Sequence, residues 1–257
     1  MGVVVMGDDG SAAADLAWMW INSQGWDDWS LDLLSADPTA TVAADQFSEW
    51  NPEDPRLLLN PAADNEVHYK RTNSDPRVAL SEYDPCDVMV IGPRGRGLLK
   101  AMHLGSTAEW LIHNPPHPLV IVRHGAPVHR AVVCTDGSDD ALAAASALAG
   151  MPWVAEVDVT VLVVEQTGIN AHDALEAAAS VLRGKAKSVD TMVRGPDQFE
   201  VFYHVRDIVL TVLEEKKADL VVVGTRGLSR WQSLRAGSIS TSVAMHAPCS
   251  AMLARAL

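Results

Sequence analysis

Blocks of apolar and polar residues alternate along the second half of the chain, and each block has the length of a strand or a helix. Continuous valine-rich runs are typical of strands buried on both faces, whereas a 3.6-residue period indicates an amphipathic helix. Such alternation predicts a parallel sheet covered by helices on both sides. The predicted elements are strand 130–134, helix 138–149, strand 157–164, helix 171–188, strand 199–203, helix 206–217, strand 219–223, helix 237–246 and strand 250–254.

The first half of the chain repeats blocks of the second half in the same order. The recurring blocks are 6–11 at 133–138, 87–95 at 219–227, and 105–106 at 237–238. A repeat of this length indicates two copies of one domain, with the boundary near residues 125–127. We therefore predict an α/β fold of two doubly wound, parallel-sheet domains, 1–126 and 127–257.

Each predicted domain closes on an apolar strand, at 119–123 and at 250–255. Edge strands of this kind are usually paired or covered. We therefore expect the two domains to pack against each other about a pseudo-twofold axis.

Residues 36–65 are the part of the first half that departs from this plan. They contain Pro38, Pro52, Pro55 and Pro61 and show little helical periodicity. Because helix interiors do not tolerate proline, we expect no helix of more than two turns in this segment. The first half also has six of the eight tryptophans. For five of them we expect core or interface packing; they are Trp18, Trp20, Trp26, Trp29 and Trp50.

Both halves contain Gly-x-x-Gly, then nine residues, then Gly-Ser. The positions are Gly92, Gly95, Gly105 and Ser106 in the first half, and Gly224, Gly227, Gly237 and Ser238 in the second. Glycines after a strand let the backbone turn and approach an anion, and the later Gly-Ser pair opens a helix whose N–H groups attract phosphate. A helix cap and turn without a ligand is the alternative interpretation of this pattern.

Charged residues near these glycines suit a phosphorylated ligand. Arg94 and Arg226 lie inside the glycine loops of a protein whose formal net charge is −13. Asp9 and Asp136, at the ends of the first strands, would reach the same edge of the sheet and could accept hydrogen bonds from a ribose or a base. The acidic balance disfavours binding to nucleic acid.

Residues 224–249 resemble the C-terminal signature of the universal stress protein family, and residues 92–118 resemble a second copy. The resemblance implies adenine nucleotide alpha hydrolase-like domains, ATP with Mg²⁺ as the ligand, and a homodimer. It also implies that the glycine loop holds phosphates and ribose while the end of the second strand borders adenine. The implied site residues are Asp136, Val164, Gly224, Arg226, Gly227, Gly237, Ser238 and Ile239, and Asp9, Gly92, Arg94, Gly95, Gly105 and Ser106.

The first half differs from the family pattern beside the adenine. Ser35 or Ala36 stands where the family has a larger apolar residue, and a clear second helix is missing from the first half. We therefore expect the second half to provide the stronger nucleotide site.

The sequence contains none of the motifs that accompany catalysis of phosphoryl transfer, such as Gly-x-x-x-x-Gly-Lys-Ser/Thr, and its nine histidines suggest no metal site. Three scattered cysteines fit a reducing compartment, and no apolar stretch reaches about 18 residues. We therefore predict a cytoplasmic, ATP-binding stress-response regulatory protein that is not an enzyme. A nucleotide-free dimerisation or interaction module and a weak ATPase remain as alternatives.

Overall fold

A computed structural model describes residues 2–37, 48–49, 65–95, 104–113, 115–195, 204–225 and 238–256. The chain divides into two compact units, Met1–Pro127 and Val128–Leu257. Each unit is a doubly wound α/β domain with a mostly parallel sheet, as the sequence predicted. None of the described helices is long and apolar enough to cross a membrane.

The first unit is built around strand β1. Its described elements are β1 (Gly2–Gly7), α1 (Ala12–Ser23), β2 (Trp29–Ala36), β3 (Ser48–Glu49), β4 (Val67–Thr72), α2 (Pro76–Ser81), β5 (Val88–Ile91), α3 (Ser106–His113) and β6 (Leu119–Ile121). The strand order is β3-β4-β2-β1-β5-β6, and every described pair is parallel except β3 with β4. Because β1 lies between β2 and β5, the sheet changes its winding direction there, and a crevice is expected at the carboxyl ends of these strands.

The second unit repeats this arrangement. Its described elements are β7 (Arg130–Cys134), α4 (Asp139–Ala149), a 3-10 helix (Pro152–Glu156), β8 (Asp158–Val164), α5 (Ala171–Leu182), β9 (Ser188–Arg194), α6 (Val205–Lys216), β10 (Leu220–Gly224), α7 (Ser238–His246) and β11 (Ser250–Ala254). The strand order is β11-β10-β7-β8-β9, with all described pairs parallel. Most predicted elements of this half are confirmed within one or two residues.

The predicted helix 171–188 is wrong at its C-terminal end. Helix α5 stops at Leu182, and Gly184 adopts the left-handed conformation with φ +78°, which interrupts the helix. Of the predicted helix, Ser188 instead begins the strand β9, which has exposed side chains at 188, 190, 191 and 193 and partly exposed ones at 189, 192 and 194. The predicted strand 199–203 lies outside the described residues.

The core of the first unit contains a tryptophan cluster, which confirms the expectation for Trp18, Trp20 and Trp26. The rings of Trp20 and Trp26 meet edge to face with centroids 6.2 Å apart, and the Trp26 Nε1–H donates to the carbonyl of Ile21 at 2.8 Å. Trp29 is partly exposed and packs against Trp26 with centroids 5.5 Å apart. Trp50 and most of the proline-rich segment 36–65 lie outside the described residues, so the helix prediction for that segment stays a prediction.

The raised pKa values of two buried thiols make the free energy of unfolding depend on pH. Burial raises the pKa of the Cys86 and Cys134 thiols to about 12. A thiol whose folded pKa exceeds its unfolded value of about 8.5 contributes stability that is complete below that pH and is lost as the pH rises towards 12. The loss amounts to about 1.4 kcal/mol per pH unit for each thiol.

We expect Cys134→Ala to flatten the alkaline fall in stability. Between pH 8 and pH 10, the free energy of unfolding should fall by about 2 kcal/mol more in the wild-type protein than in the variant. Urea unfolding at both pH values measures this difference, and comparison between the pH values removes the constant effect of the lost side chain. Parallel pH dependence in the two proteins would contradict the prediction.

Candidate functional site

A cavity of about 390 Å³ lies at the carboxyl ends of β1, β2 and β5 in the first unit. It occupies the crevice expected from the strand order. The structure brings all six residues predicted for the first site to its lining, namely Asp9, Gly92, Arg94, Gly95, Gly105 and Ser106.

Asp9 is held by a tight turn at the end of β1. Its Oδ1 accepts a hydrogen bond from the Ser11 N–H at 3.0 Å, and Gly10 has the positive φ of 67° that the turn requires. Its Oδ2 lies beside Gly95, where a Cβ atom would overlap the carboxylate oxygen. Glycine at position 95 therefore leaves room for the Asp9 carboxylate at the rim of the cavity.

Ser11 connects the turn after β1 with the loop after β5. Its hydroxyl accepts a hydrogen bond from the Ala14 N–H at 3.2 Å, which caps α1, and donates to the carbonyl of Arg94 at 3.4 Å. The two loops that carry Asp9 and Arg94 are thereby fixed at the same edge of the cavity.

The N-terminus of α3 forms another side of the cavity. Gly105 donates its N–H to the carbonyl of Pro93 at 2.8 Å, and α3 begins at Ser106, as predicted from the Gly-Ser pair. Ser106 and Thr107 both line the cavity. The first N–H groups of a helix have no partner within the helix and carry the positive end of its dipole, so this side favours an anionic group.

An apolar wall also lines the cavity, and the comparison of Ala36 with the family pattern did not take it into account. The expectation that the second half provides the stronger site stays a prediction. Leu34 and Ala36 of β2 contribute to the wall, together with Ile91 of β5 and with Pro76 and Leu80, which lie one turn apart on α2. Sequence reasoning missed Pro76 and Leu80. Asp75 followed by proline is a helix-start signal, and the spacing of four residues places both side chains on one face of the helix.

Gly92 and Gly224 pack against helices, a role that the sequence interpretation did not assign to them. A Cβ atom on Gly92 would lie 2.6 Å from the carbonyl oxygen of Ala13 in α1. A Cβ atom on Gly224 would lie 2.6 Å from the backbone nitrogen of Ala141 in α4. These glycines therefore let the ends of β5 and β10 approach the first turn of a helix, besides shaping the loop that follows.

The second unit repeats the turn that holds Asp9. Asp136 Oδ1 accepts a hydrogen bond from the Ser138 N–H at 3.0 Å, and the Ser138 hydroxyl accepts from the Ala141 N–H and caps α4. Val164 ends β8, at the position that Ala36 occupies in β2. Asp136 and Val164 thus lie at the carboxyl edge of the sheet, as predicted.

The remaining predicted residues of the second site are only partly described. Gly224 ends β10, and Ser238 and Ile239 begin α7. Arg226, Gly227 and Gly237 lie outside the described residues. Sequence reasoning missed Asp140, whose carboxylate accepts hydrogen bonds from the Thr225 hydroxyl at 2.8 Å and from the Ala256 N–H at 3.0 Å.

The charged residues described at the first cavity are Asp8, Asp9 and Arg94. Asp8 Oδ1 accepts a hydrogen bond from the Gly10 N–H at 2.8 Å, while Thr135 takes the same role in the second unit at 3.1 Å. The part of the chain that the structure describes contains no group of three or more histidine, cysteine or acidic residues arranged to hold a metal ion.

Comparisons with known proteins agree with the repeat read from the sequence. The model of the universal stress protein family matches the chain twice, over residues 2–123 and 127–255. The structure is similar to that of a universal stress protein from Archaeoglobus fulgidus DSM 4304, with 19% identity, a TM-score of 0.70 and 98% coverage of both chains. A functionally unknown protein from Pseudomonas aeruginosa PAO1 has 15% identity and a TM-score of 0.59, over 98% of this chain and 92% of its own. These likenesses show the fold, and a search among curated proteins gave no match.

Proposed function

Because the chain belongs to the universal stress protein family, which both of its halves match, we propose that it is an ATP-binding regulatory protein of the stress response. It acts by binding the nucleotide and does not catalyse a reaction. The observation that carries this proposal is the first-unit cavity, in which an apolar wall faces a carboxylate, a guanidinium group and a helix N-terminus.

The lining of the cavity supports a distinct role for each side. The apolar wall, formed in part by Leu34 and Leu80, suits a nucleobase, since ligand sites are mainly apolar with a few placed polar groups. The Asp9 carboxylate suits ribose hydroxyls as a hydrogen-bond acceptor. Arg94 and the backbone N–H groups at Ser106 suit phosphate, and ATP is expected to bring Mg²⁺ with it.

We propose the corresponding site in the second unit at Asp136, Val164, Gly224, Arg226, Gly227, Gly237, Ser238 and Ile239. It is supported by the repeated turn at Asp136 and by the matching glycine spacing.

We also propose a cytoplasmic homodimer without nucleic acid or membrane partners. The three cysteines are free and buried, which suits a reducing compartment. Pseudo-twofold packing of the two domains stays a prediction.

Calorimetric titration of ATP and Mg²⁺ into the full chain tests the proposed function. We expect two binding events per chain, and we expect Asp9→Ala and Asp136→Ala each to weaken one of them. Asp27→Ala, which removes an exposed carboxylate away from the cavity, is the control and should bind as the wild-type protein does.

Two outcomes would contradict the proposal. Absence of ATP binding by the wild-type protein would favour a nucleotide-free interaction module. Release of phosphate from ATP that Asp9→Ala or Asp136→Ala abolishes would instead identify an ATPase.

A further inference from the structure

We propose that a network of the buried Asp32 and Tyr83 with the half-buried Lys70 positions Pro76 and Leu80, the part of the cavity lining that we call the α2 wall, and thereby sets the affinity of the first-unit cavity for its ligand. Tyr83 and Asp32 are positioning residues in this proposal, because neither lines the cavity. The inference on affinity rests on the proposed function, while the inference on the wall can be tested without a ligand.

The network joins β2, β4 and the segment that follows α2, and its Lys70 side chain is 27% exposed. The Tyr83 hydroxyl donates to Asp32 Oδ2 at 2.5 Å, and the Lys70 Nζ lies 3.7 Å from the same oxygen. Asp32 is 4% exposed and Tyr83 is 2% exposed. The Lys70 ammonium also lies over the Tyr83 ring, 5.4 Å from its centroid, in cation–π geometry.

This network reaches the cavity through two short chain segments. Asp32 precedes Leu34 by two residues in β2, so that both side chains point to the same face of the sheet. Tyr83 follows the last residue of α2 by two positions and comes three residues after Leu80. The hydrogen bond between Tyr83 and Asp32 therefore ties the end of α2 to the strand that carries Leu34, another residue of the apolar wall.

Helix α2 needs such a connection because it is short. It has six residues, of which Ala79 and Leu80 are buried, whereas its counterpart α6 in the second unit has 12 residues. A helix of less than two turns is not stable by itself and depends on tertiary contacts for its position. A strong buried hydrogen bond at its end is such a contact.

The second unit lacks this network at the corresponding positions. Thr160 pairs with Val132 as Asp32 pairs with Val5, and Met192 pairs with Leu162 as Lys70 pairs with Leu34. Asp32 and Lys70 thus occur in the first unit, where the short helix α2 contributes to the cavity lining. This favours the interpretation that they hold α2 in place and not that they stabilise the fold in general.

Replacing Tyr83 with phenylalanine tests both parts of the inference. It removes the hydroxyl and leaves the buried Asp32 carboxylate without this donor, while the ring remains. We expect hydrogen exchange of the Ala79 and Glu82 amides, which bond to Asp75 and Val78, to rise about tenfold, while exchange of the Glu109 amide in α3 stays unchanged. A uniform rise across the unit, or no rise in α2, would overturn the positioning role.

Affinity is measured in the full chain by NMR, with the Ser106 amide as the reporter of the first cavity during titration with ATP. We expect Tyr83→Phe to raise the dissociation constant by about fivefold or more, because the binding-competent position of the wall becomes less populated. Asp32→Asn retains an oxygen acceptor for the Tyr83 hydroxyl and should stay within about twofold of the wild-type value. The control Ile21→Val removes a buried methylene from α1 and should leave the dissociation constant unchanged.

The outcomes separate this inference from the proposed function. If the Ser106 amide of the wild-type protein does not respond to ATP, the proposed function fails at this cavity and the exchange result alone decides the role of the network. If ATP binds and Tyr83→Phe binds it equally well, the network does not set affinity. Equal losses in Tyr83→Phe and Ile21→Val would show a mere effect of stability and would also overturn the inference.

Discussion

Gly92→Ala is expected to lower the free energy of unfolding of the first unit by about 3 kcal/mol, and Gly224→Ala is expected to do the same to the second unit. The added Cβ would lie 2.6 Å from backbone atoms, of Ala13 in the first case and of Ala141 and Asp140 in the second. Backbone cannot rotate away as a side chain can, so the strand and the helix must move apart. Urea unfolding of the full-length variants measures the effect.

Two other glycines serve as controls for this prediction. A Cβ atom on Gly25 would have no heavy atom within 4 Å, and one on Gly105 would lie 3.4 Å from its nearest neighbour, which is an ordinary contact. Gly25→Ala and Gly105→Ala should therefore change stability by less than about 1 kcal/mol. If Gly92→Ala is tolerated as well as Gly25→Ala, close packing is not the reason for glycine at position 92.

Gly105→Val is expected to weaken ATP binding at the first cavity by about tenfold to a hundredfold while the unit remains folded. A branched side chain at the start of α3 would occupy the space where phosphate meets backbone N–H groups, and hydrogen bonds to a charged group contribute about 1.5–3 kcal/mol each. The ordinary distance of 3.4 Å to Arg94 Cα means that the backbone can accept the Cβ atom. Calorimetric titration with ATP, together with urea unfolding, separates binding from stability.

The matching change Gly237→Val tests which site is stronger. The sequence predicts the larger loss at Gly237, because Val164 stands where the first unit has Ala36. The α2 wall gives the first cavity an apolar side that this ranking did not take into account. A larger loss at Gly105 would reverse the ranking, and unchanged binding in both variants would indicate that these loops do not hold phosphate.

The sequence was sufficient to predict the two α/β units, because the repeated blocks fall at strand ends and helix starts, where local chemistry is most specific. Gly105 and Ser106 mark the start of α3, and the strands buried on both faces are continuous apolar runs. The end of α5 was less predictable. Apolar positions continue into β9, and residues 183–187, among them the left-handed Gly184, separate the two elements.

Contacts between residues distant in sequence explain what was missed at the candidate site. Tyr83 and Asp32 are 51 positions apart, and no local pattern relates a tyrosine after one helix to an aspartate within an earlier strand. Likewise, Gly92 has no Cβ atom because one would overlap the backbone of α1. Only the folded sheet brings α1 close to the end of β5. Residue type and spacing therefore predicted the polar rim of the cavity, whereas its apolar wall required the fold.

The edge position of β9 bears on how the protein behaves at high concentration. In the described part of the second unit β9 pairs only with β8, so its outer side presents backbone groups that could recruit another strand. Val193 is 43% exposed on this strand, but Asp190 and Arg194 stand among its seven residues. A second copy of the chain that paired a strand with β9 would have to accommodate the charges of Asp190 and Arg194. In addition, copies that each have a net charge of −13 repel one another. Charge on this strand thus opposes aggregation through the sheet edge.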